Sequence, residues 1–328
     1  MDESPPRWGL VLHTGAGSFT LETLGERRGP MREAIIEALA AGHRVLASGG
    51  TSLDAVQAAI VVLEDSPLFN AGKGAVFTHE GTNELDAAVM DGATRRAGAV
   101  AGVKRIKNPI LLARLVMEKS PHVMMAGEGA EAFAREQGGI EFVDPTYFYT
   151  ERAWQALKRA LEQERRKAAA GARAEPGFER DAPAGYFGTV GAVALDRHGN
   201  LAAGTSTGGM TNKRVGRVGD SPIIGAGTYA GRDCAISATG HGEYFIRFVV
   251  AHEICARVEH RGASLQAAAD AVVHDVLKGA GGTGGVIGMD RRGRVAVSVN
   301  VTGMGRGYIG EDGQPRVAFT DEESLQGS

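Results

Sequence analysis

Chemistry is most legible in this sequence at Gly188-Thr189. The pair opens a run of β-forming residues, Val190 to Leu195, directly after a polar stretch without apolar periodicity. Taken alone, a threonine there is an ordinary strand former. A floppy segment, a glycine and a core-strand threonine in succession point to something more specific, cleavage of the Gly188–Thr189 bond to make Thr189 a new N-terminus. A threonine hydroxyl is a weak nucleophile until a base takes its proton. A free α-amine, with an unperturbed pKa of about 7.7–8.0, can be that base on the same residue. The amine exists only after the cut, so the intact chain would be inert. Gly188 has no Cβ to obstruct attack of the Thr189 hydroxyl on the preceding carbonyl, and it tolerates strained backbone.

Other residues fall in with this chemistry. A second β-type run, Leu201 to Thr207, follows the turn Arg197-His198-Gly199-Asn200, which is a hairpin pattern. The hairpin sets residue 189 close to 207, so Thr207 can hydrogen-bond the Thr189 hydroxyl or amine; a plain Thr–Thr cross-strand pair is the simpler reading. Arg217 and Asp220, in the loop Gly216 to Pro222, suit a clamp on a zwitterion. Arg217 would fork a carboxylate and Asp220 would accept an ammonium; the bland alternative is a solvated surface pair of small worth. Thr239-Gly240, at a strand end before a helix start, offers a hydroxyl and a backbone N–H suited to an oxyanion. Asn70, in the loop Ser66 to Gly74, serves at least as a turn residue. Singly each bland reading is the better one; jointly the residues describe one site for amide hydrolysis.

Three competing motifs fail on context. Gly204-Thr-Ser206-Thr-Gly208 fits the G-x-S-x-G elbow of serine hydrolases, but a loop, not a helix, follows Ser206. Gly279 to Gly284 fits G-x-G-x-x-G, yet a helix precedes it and a strand follows, the reverse of a dinucleotide site. His241 stands at a helix start, where a lone histidine more often caps or packs than titrates in catalysis.

The elements that must position these residues are those of one large domain. The chain has 328 residues, 43% apolar and 23% charged, an ordinary globular composition. A net charge of −3 carries no nucleic-acid footprint. No run approaches a membrane span. The segment Met1 to Arg7 has no apolar core of a signal peptide, and Cys234 and Cys255 lack metal spacing. These features set the expectation of a cytoplasmic protein in a reducing compartment, without zinc or disulfides. Helices are expected over Met31–Ser48, Ser52–Asp65 with Thr51 or Ser52 as cap, Pro109–Lys119, Glu131–Gln137, Thr150–Ala170, Glu243–Glu259 and Ser264–Leu277. Ala75–His79, Glu84–Met90 and Ala97–Lys104 read as consecutive antiparallel strands, with further strands at Trp8–His13, Val123–Ala126, Cys234–Thr239, Val286–Met289 and Val295–Val301. Gly171 to Ala184, rich in Pro, Gly, Arg and Glu, reads as a disordered tether that extends over about 170–186. Antiparallel strand groups with helices outside suggest stacked sheets covered on both faces.

Longer motifs carry a resemblance. Gly188-Thr-Val-Gly-Ala-Val-Ala-Leu-Asp196, Thr205-Ser-Thr-Gly-Gly-Met-Thr-Asn-Lys213, Gly216-Arg-Val-Gly-Asp-Ser-Pro222, Gly225-Ala-Gly-Thr-Tyr-Ala230 and Ala238-Thr-Gly-His-Gly-Glu243 resemble the plant-type asparaginases, also called isoaspartyl peptidases. Pro67 to Gly72, Glu84 to Gly92 and Ala99 to Val103 match as well, so the likeness covers nearly all of the chain outside the tether. The resemblance implies the α+β, four-layer αββα sandwich of the N-terminal nucleophile hydrolases, as one domain over 1–328. It implies self-cleavage into an α subunit, 1–188, and a β subunit, 189–328, that assemble as (αβ)2. It assigns Thr189 as nucleophile and Thr207 as its activator. Arg217 and Asp220 hold the substrate's α-carboxylate and α-amine, Thr239 and Gly240 form the oxyanion hole, Gly242 lines the pocket and Asn70 lies near the nucleophile. No organic cofactor is implied, but a structural sodium on the backbone carbonyls of Leu63, Glu64, Ser66, Phe69, Ala71 and Lys73 is. The expected substrates are L-asparagine and β-aspartyl dipeptides, with a glycosylasparaginase of the same fold or an uncleaved aspartyl-binding protein as alternatives. One departure is Thr14, where the family usually has glycine.

Overall fold

Strands whose side chains are apolar on both faces need cover on both sides, and the run Val190 to Leu195 is buried throughout. The computed structural model describes residues 8–169 and 188–320, with Glu323 and Leu325; the segment read as a tether lies outside the described residues. The strands are β1 (Gly9–Gly17), β2 (Leu85–Asp91), β3 (Ala97–Val103), β4 (Met124–Ala126), β5 (Val190–Leu195), β6 (Leu201–Thr207), β7 (Thr228–Ala230), β8 (Cys234–Gly240), β9 (Gly284–Asp290), β10 (Val295–Val299), β11 (Gly303–Gly310) and β12 (Arg316–Thr320). The α-helices are α1 (Leu21–Leu24), α2 (Arg28–Ala47), α3 (Ser52–Asp65), α4 (Pro109–Lys119), α5 (Gly127–Gln137), α6 (Glu151–Ala169), α7 (Gly242–Arg247), α8 (Val250–Arg261) and α9 (Leu265–Asp270).

Eight strands form one sheet in the order β12-β11-β1-β5-β6-β2-β3-β4, and four form a second, β10-β9-β8-β7. Pairing is antiparallel except between β3 and β4. The second sheet lies across β1, β5 and β6 of the first. Helices α2, α3 and α4 cover the outer face of the large sheet, and α8 and α9 cover the outer face of the small one. This is the expected αββα sandwich. Among the described residues it has two large apolar cores, one beneath the first helical layer and one between the sheets and the second layer, and a small third cluster of Phe77, Ala153 and Leu157.

The hairpin holds the register that the sequence demanded. Val190 pairs with Ser206 and Leu195 with Leu201, so Thr189 falls opposite Thr207. Side chains alternate between faces along a strand. Val190, Ala192 and Ala194 enter the core under α3, whereas Val193 and Leu195 enter the inter-sheet core. Thr189 shares the inter-sheet parity, as do Thr205 and Thr207, while Ser206 turns toward α3. Two helix starts hold as read: Thr51 caps α3 by accepting from Asp54 N, and Pro109 opens α4.

Four readings are corrected. Ala75–His79 is not a strand. The side chain of Asn83 donates to the carbonyls of Ala75 and Val76, and Asn70 accepts from Val76 N, so side chains satisfy backbone groups that a ladder would otherwise take. The single helix over Glu243–Glu259 is broken at Val249, which sits at φ 49°. There the N–H groups of Ala251 and His252 donate to Ala226 and Gly225 O, a tertiary override of local propensity. The helix from Ser264 widens into a π-helical stretch at Ala271–Leu277. Last, Cys234 and Cys255 form a disulfide that ties the start of β8 to α8, against the expectation of two free thiols.

That disulfide gives a prediction. Closing a loop of 21 residues should add on the order of 3 kcal/mol to stability through the unfolded chain. Cys255→Ala is expected to lower the denaturation midpoint yet leave the surroundings of Thr239 in place, because Cys234 and Thr239 lie at opposite ends of β8. Urea unfolding of the two proteins, with thiol counting on the denatured wild type, checks it. Two titratable thiols and matching curves would contradict it.

Candidate active site

Thr189 and Thr207 are both buried, and Thr189 Oγ1 donates to Thr207 Oγ1 at 3.0 Å. Thr207 Oγ1 also accepts from Gly209 N at 2.9 Å. Asn70 anchors that turn: its Nδ2 donates to Gly209 O at 2.7 Å, and its own carbonyl accepts from Gly208 N. Asn70 thus bears on Thr189 through Thr207 and the Gly208-Gly209 corner.

The peptide of Gly188 lies against the loop of β1. Gly15, at φ 105°, has no side chain where a Cβ would collide with Gly188 O and N. The next residue ties that loop to β8: Ala16 N donates to Thr239 Oγ1 at 3.3 Å. The Gly188 peptide, the irregular stretch of β1 at Gly15-Ala16 and Thr239 therefore form one continuous contact, with Gly240 next along the chain. Thr14 turns away, its buried hydroxyl lying over Gly305 of β11.

Arg217, Asp220 and Gly242 come together. A Cβ on Gly242 would lie 2.8 Å from Asp220 Oδ1 and 2.9 Å from Arg217 Nη2. The simple surface-pair reading fails, since Asp220 is buried and the Arg217 side chain is only 17% exposed. Burial pushes the Asp220 carboxyl up to about 7, against the pull of the Arg217 guanidinium. Asp220 Oδ2 has no hydrogen-bond partner among the described residues. A buried carboxylate oxygen without a donor is costly, and a ligand ammonium would relieve it.

Two residues that the sequence reading passed over belong here. Glu243 takes Arg217 Nε and Nη2 on its two carboxylate oxygens, each at 2.9 Å. It stood in the motif Ala238 to Glu243 but looked like a helix-start acid. Lys213 is buried and donates to Glu84 O at 2.9 Å, with its Nζ against Gly209. Nothing in local sequence separates a buried lysine from an exposed one.

Ser206 does not join the site. Its Oγ donates to Glu64 Oε1 at 2.6 Å on the helical side of the sheet. Burial raises the Glu64 carboxyl to about 8, and its Oε1 accepts from Ser206 Oγ and Ile110 N. His241 makes no side-chain cap on α7; it lies edge-on to Tyr244 at 5.1 Å, and burial lowers its pKa. After α3 the chain packs closely on itself: side chains on Gly72 and Gly74 would collide with Glu64 O and Phe69 O. A surface hollow of about 1110 Å³ between α9, β10, β11 and β12 contains none of these groups. No described helix is long and apolar enough to cross a membrane.

The asparaginase family model, Asparaginase_2, matches residues 6–319. The isoaspartyl peptidase of Escherichia coli K12 is 49% identical over 309 residues, covering 92% of this chain and 93% of that protein. A plant-type L-asparaginase of Pyrococcus abyssi is 43% identical over 307 residues, 92% and 96% of the two chains. An isoaspartyl peptidase/L-asparaginase of Bos taurus is 41% identical over 297 residues, 90% and 91%.

Proposed function

Given that the chain belongs to the asparaginase family by a match over residues 6–319, we propose that it is a self-processing amidohydrolase of L-asparagine and β-aspartyl dipeptides with Thr189 as nucleophile. The observation that carries the reading is the meeting of Arg217, Asp220 and Gly242 at one point. An α-amino acid bears its ammonium and carboxylate on one carbon, and the clamp presents one charge of each complementary sign around one residue without a side chain.

In the intact chain, Thr189 Oγ attacks the Gly188 carbonyl carbon. The acyl group moves from nitrogen to oxygen, and water hydrolyses the ester to leave a free Thr189 amine and a Gly188 carboxylate. In the cleaved enzyme that amine takes the hydroxyl proton as Oγ attacks the substrate's side-chain carbonyl. The Thr239 hydroxyl and Gly240 N–H receive the oxyanion. The leaving ammonia or peptide amine takes the proton back, which leaves a β-aspartyl ester on Thr189. Water, deprotonated by the same amine, releases aspartate and restores the hydroxyl. Thr207 orients Oγ throughout.

The carbonyls of Leu63, Glu64, Ser66, Phe69, Ala71 and Lys73 are the groups that would hold a structural sodium. Two of them, Glu64 O and Phe69 O, lie where a side chain on Gly72 or Gly74 would collide, so the glycines leave those two oxygens uncovered. A hard cation there would brace the loop that carries Asn70.

Asp220 gives a pH prediction. Its carboxyl titrates near 7 in the free protein, raised by burial, and only the ionised form accepts the substrate ammonium. The Thr189 amine must also be unprotonated, from a starting value of about 7.7–8.0. On the acid side log(kcat/KM) should therefore fall with a slope approaching about two, since two protons block the free enzyme. Bound substrate keeps Asp220 ionised, so log kcat should fall with a slope of about one. Equal slopes in both profiles would remove Asp220 from substrate binding. Turnover of L-asparagine, a β-Asp-Leu dipeptide and an Asn-linked sugar, compared on one preparation, tests the substrate class; activity confined to the sugar would overturn the proposed substrates.

A further inference from the structure

One carboxylate in the site has no part in the chemistry above. Glu243 is the second residue of α7, and it grips Arg217 side-on through Nε and Nη2 at 2.9 Å each. A guanidinium has five N–H bonds in a rigid fork, two edges of which fit a carboxylate. Glu243 takes the Nε/Nη2 edge. The Nη1/Nη2 edge runs between two residues without side chains: a Cβ on Gly219 would lie 2.8 Å from Nη1, and one on Gly242 2.9 Å from Nη2. Asp220 Oδ1 borders the same Gly242 position. The contact is half buried, with Arg217 and Glu243 side chains 17% and 27% exposed. Burial works against the Glu243 charge, but the hydrogen bond and charge of Arg217 outweigh it and hold the carboxyl below its ordinary range.

We propose that Glu243 is a positioning residue for substrate recognition: by holding the side-on edge of Arg217 it commits the end-on edge to the substrate's α-carboxylate, beside Asp220. The inference rests on the proposed aspartyl specificity and adds a residue to it. Its consequence is geometric. A guanidinium held on one edge cannot swing to meet a carboxylate side-on, so the distance between the bound α-carboxylate and Thr189 is set before substrate arrives. Losing Glu243 loosens binding of the carboxylate without altering the nucleophile.

The test uses cleaved wild-type enzyme and Glu243→Gln, with Glu243→Asp as the second variant in case the first fails to fold or self-cleave. Two ligands are compared: L-asparagine and 3-aminopropanamide, which lacks the α-carboxylate and is followed as a substrate or as a competitive inhibitor. For L-asparagine, KM is expected to rise roughly tenfold, with kcat within about twofold, as a charge-assisted pair is weakened. For 3-aminopropanamide, the kinetic or inhibition constant should be the same in wild type and variant. Equal losses on both ligands would assign Glu243 a merely structural role and overturn the proposal, as would an unchanged KM for L-asparagine. Wild-type enzyme inert toward L-asparagine would instead sink the aspartyl reading itself, and this inference with it.

Discussion

Thr189→Ala is expected to yield a single uncleaved chain with no measurable turnover. The substitution removes one oxygen, and in the proposed scheme that oxygen has two jobs. In the intact chain it attacks the Gly188 carbonyl, so without it the bond stays whole and the α-amine base is never created. In the cleaved enzyme it carries the acyl group. Loss of a nucleophile costs on the order of a millionfold in kcat where it has been isolated, and here the base is lost as well. The fold should survive, because Thr189 is a small buried residue whose side-chain hydrogen bond goes to Thr207, and Thr207 keeps its bond from Gly209 N. Denaturing electrophoresis and an assay of ammonia release read both effects. Cleavage that persists in Thr189→Ala would mean that another group cuts the chain.

Arg217→Lys should separate catalysis from processing. Lysine keeps the charge but presents a point donor in place of a fork. It cannot hold Glu243 with two bonds and a substrate carboxylate with two more. Hydrogen bonds to charged groups contribute about 1.5–3 kcal/mol each, so kcat/KM for L-asparagine should fall between roughly tenfold and a hundredfold. Self-cleavage should proceed normally, because its reacting groups belong to Gly188 and Thr189 and no substrate occupies the clamp. Burial raises Asp220 and Arg217 opposes that rise, so any displacement of the cation from its slot also moves Asp220 further toward the neutral form. Wild-type kinetics in this variant would return Arg217 to a structural ion pair with Glu243.

The parts of the site that follow from strand periodicity were legible in the sequence. The turn at Arg197–Asn200 sets Thr189 opposite Thr207; Ser206, set aside because a loop follows it, faces Glu64 on the other side of the sheet. Helix boundaries signalled by local chemistry, such as Thr51 before α3 and Pro109 in α4, also held. What stayed hidden depends on contacts distant in sequence. Glu243 lies 26 residues from Arg217, and a helix-start glutamate looks the same whether it faces solvent or an arginine. The break at Val249 has no glycine or proline to announce it; it arises because Ala251 and His252 bond to the 225–226 backbone. Strand β11 was missed because Gly303 to Gly310 carries four glycines and no apolar–polar alternation; β12, only five residues long, was missed with it. The disulfide depends on β8 and α8 lying side by side, which the spacing of two cysteines does not reveal.

The central claim, an acyl-carrying N-terminal threonine, is tested most directly by trapping the enzyme during turnover of L-asparagine and mapping the adduct by mass spectrometry. Acid quenching followed by peptide analysis should find a fragment that begins at Thr189 and carries the added mass of one β-aspartyl unit on that residue. A fragment beginning elsewhere, or the same added mass on Ser206, would contradict the mechanism.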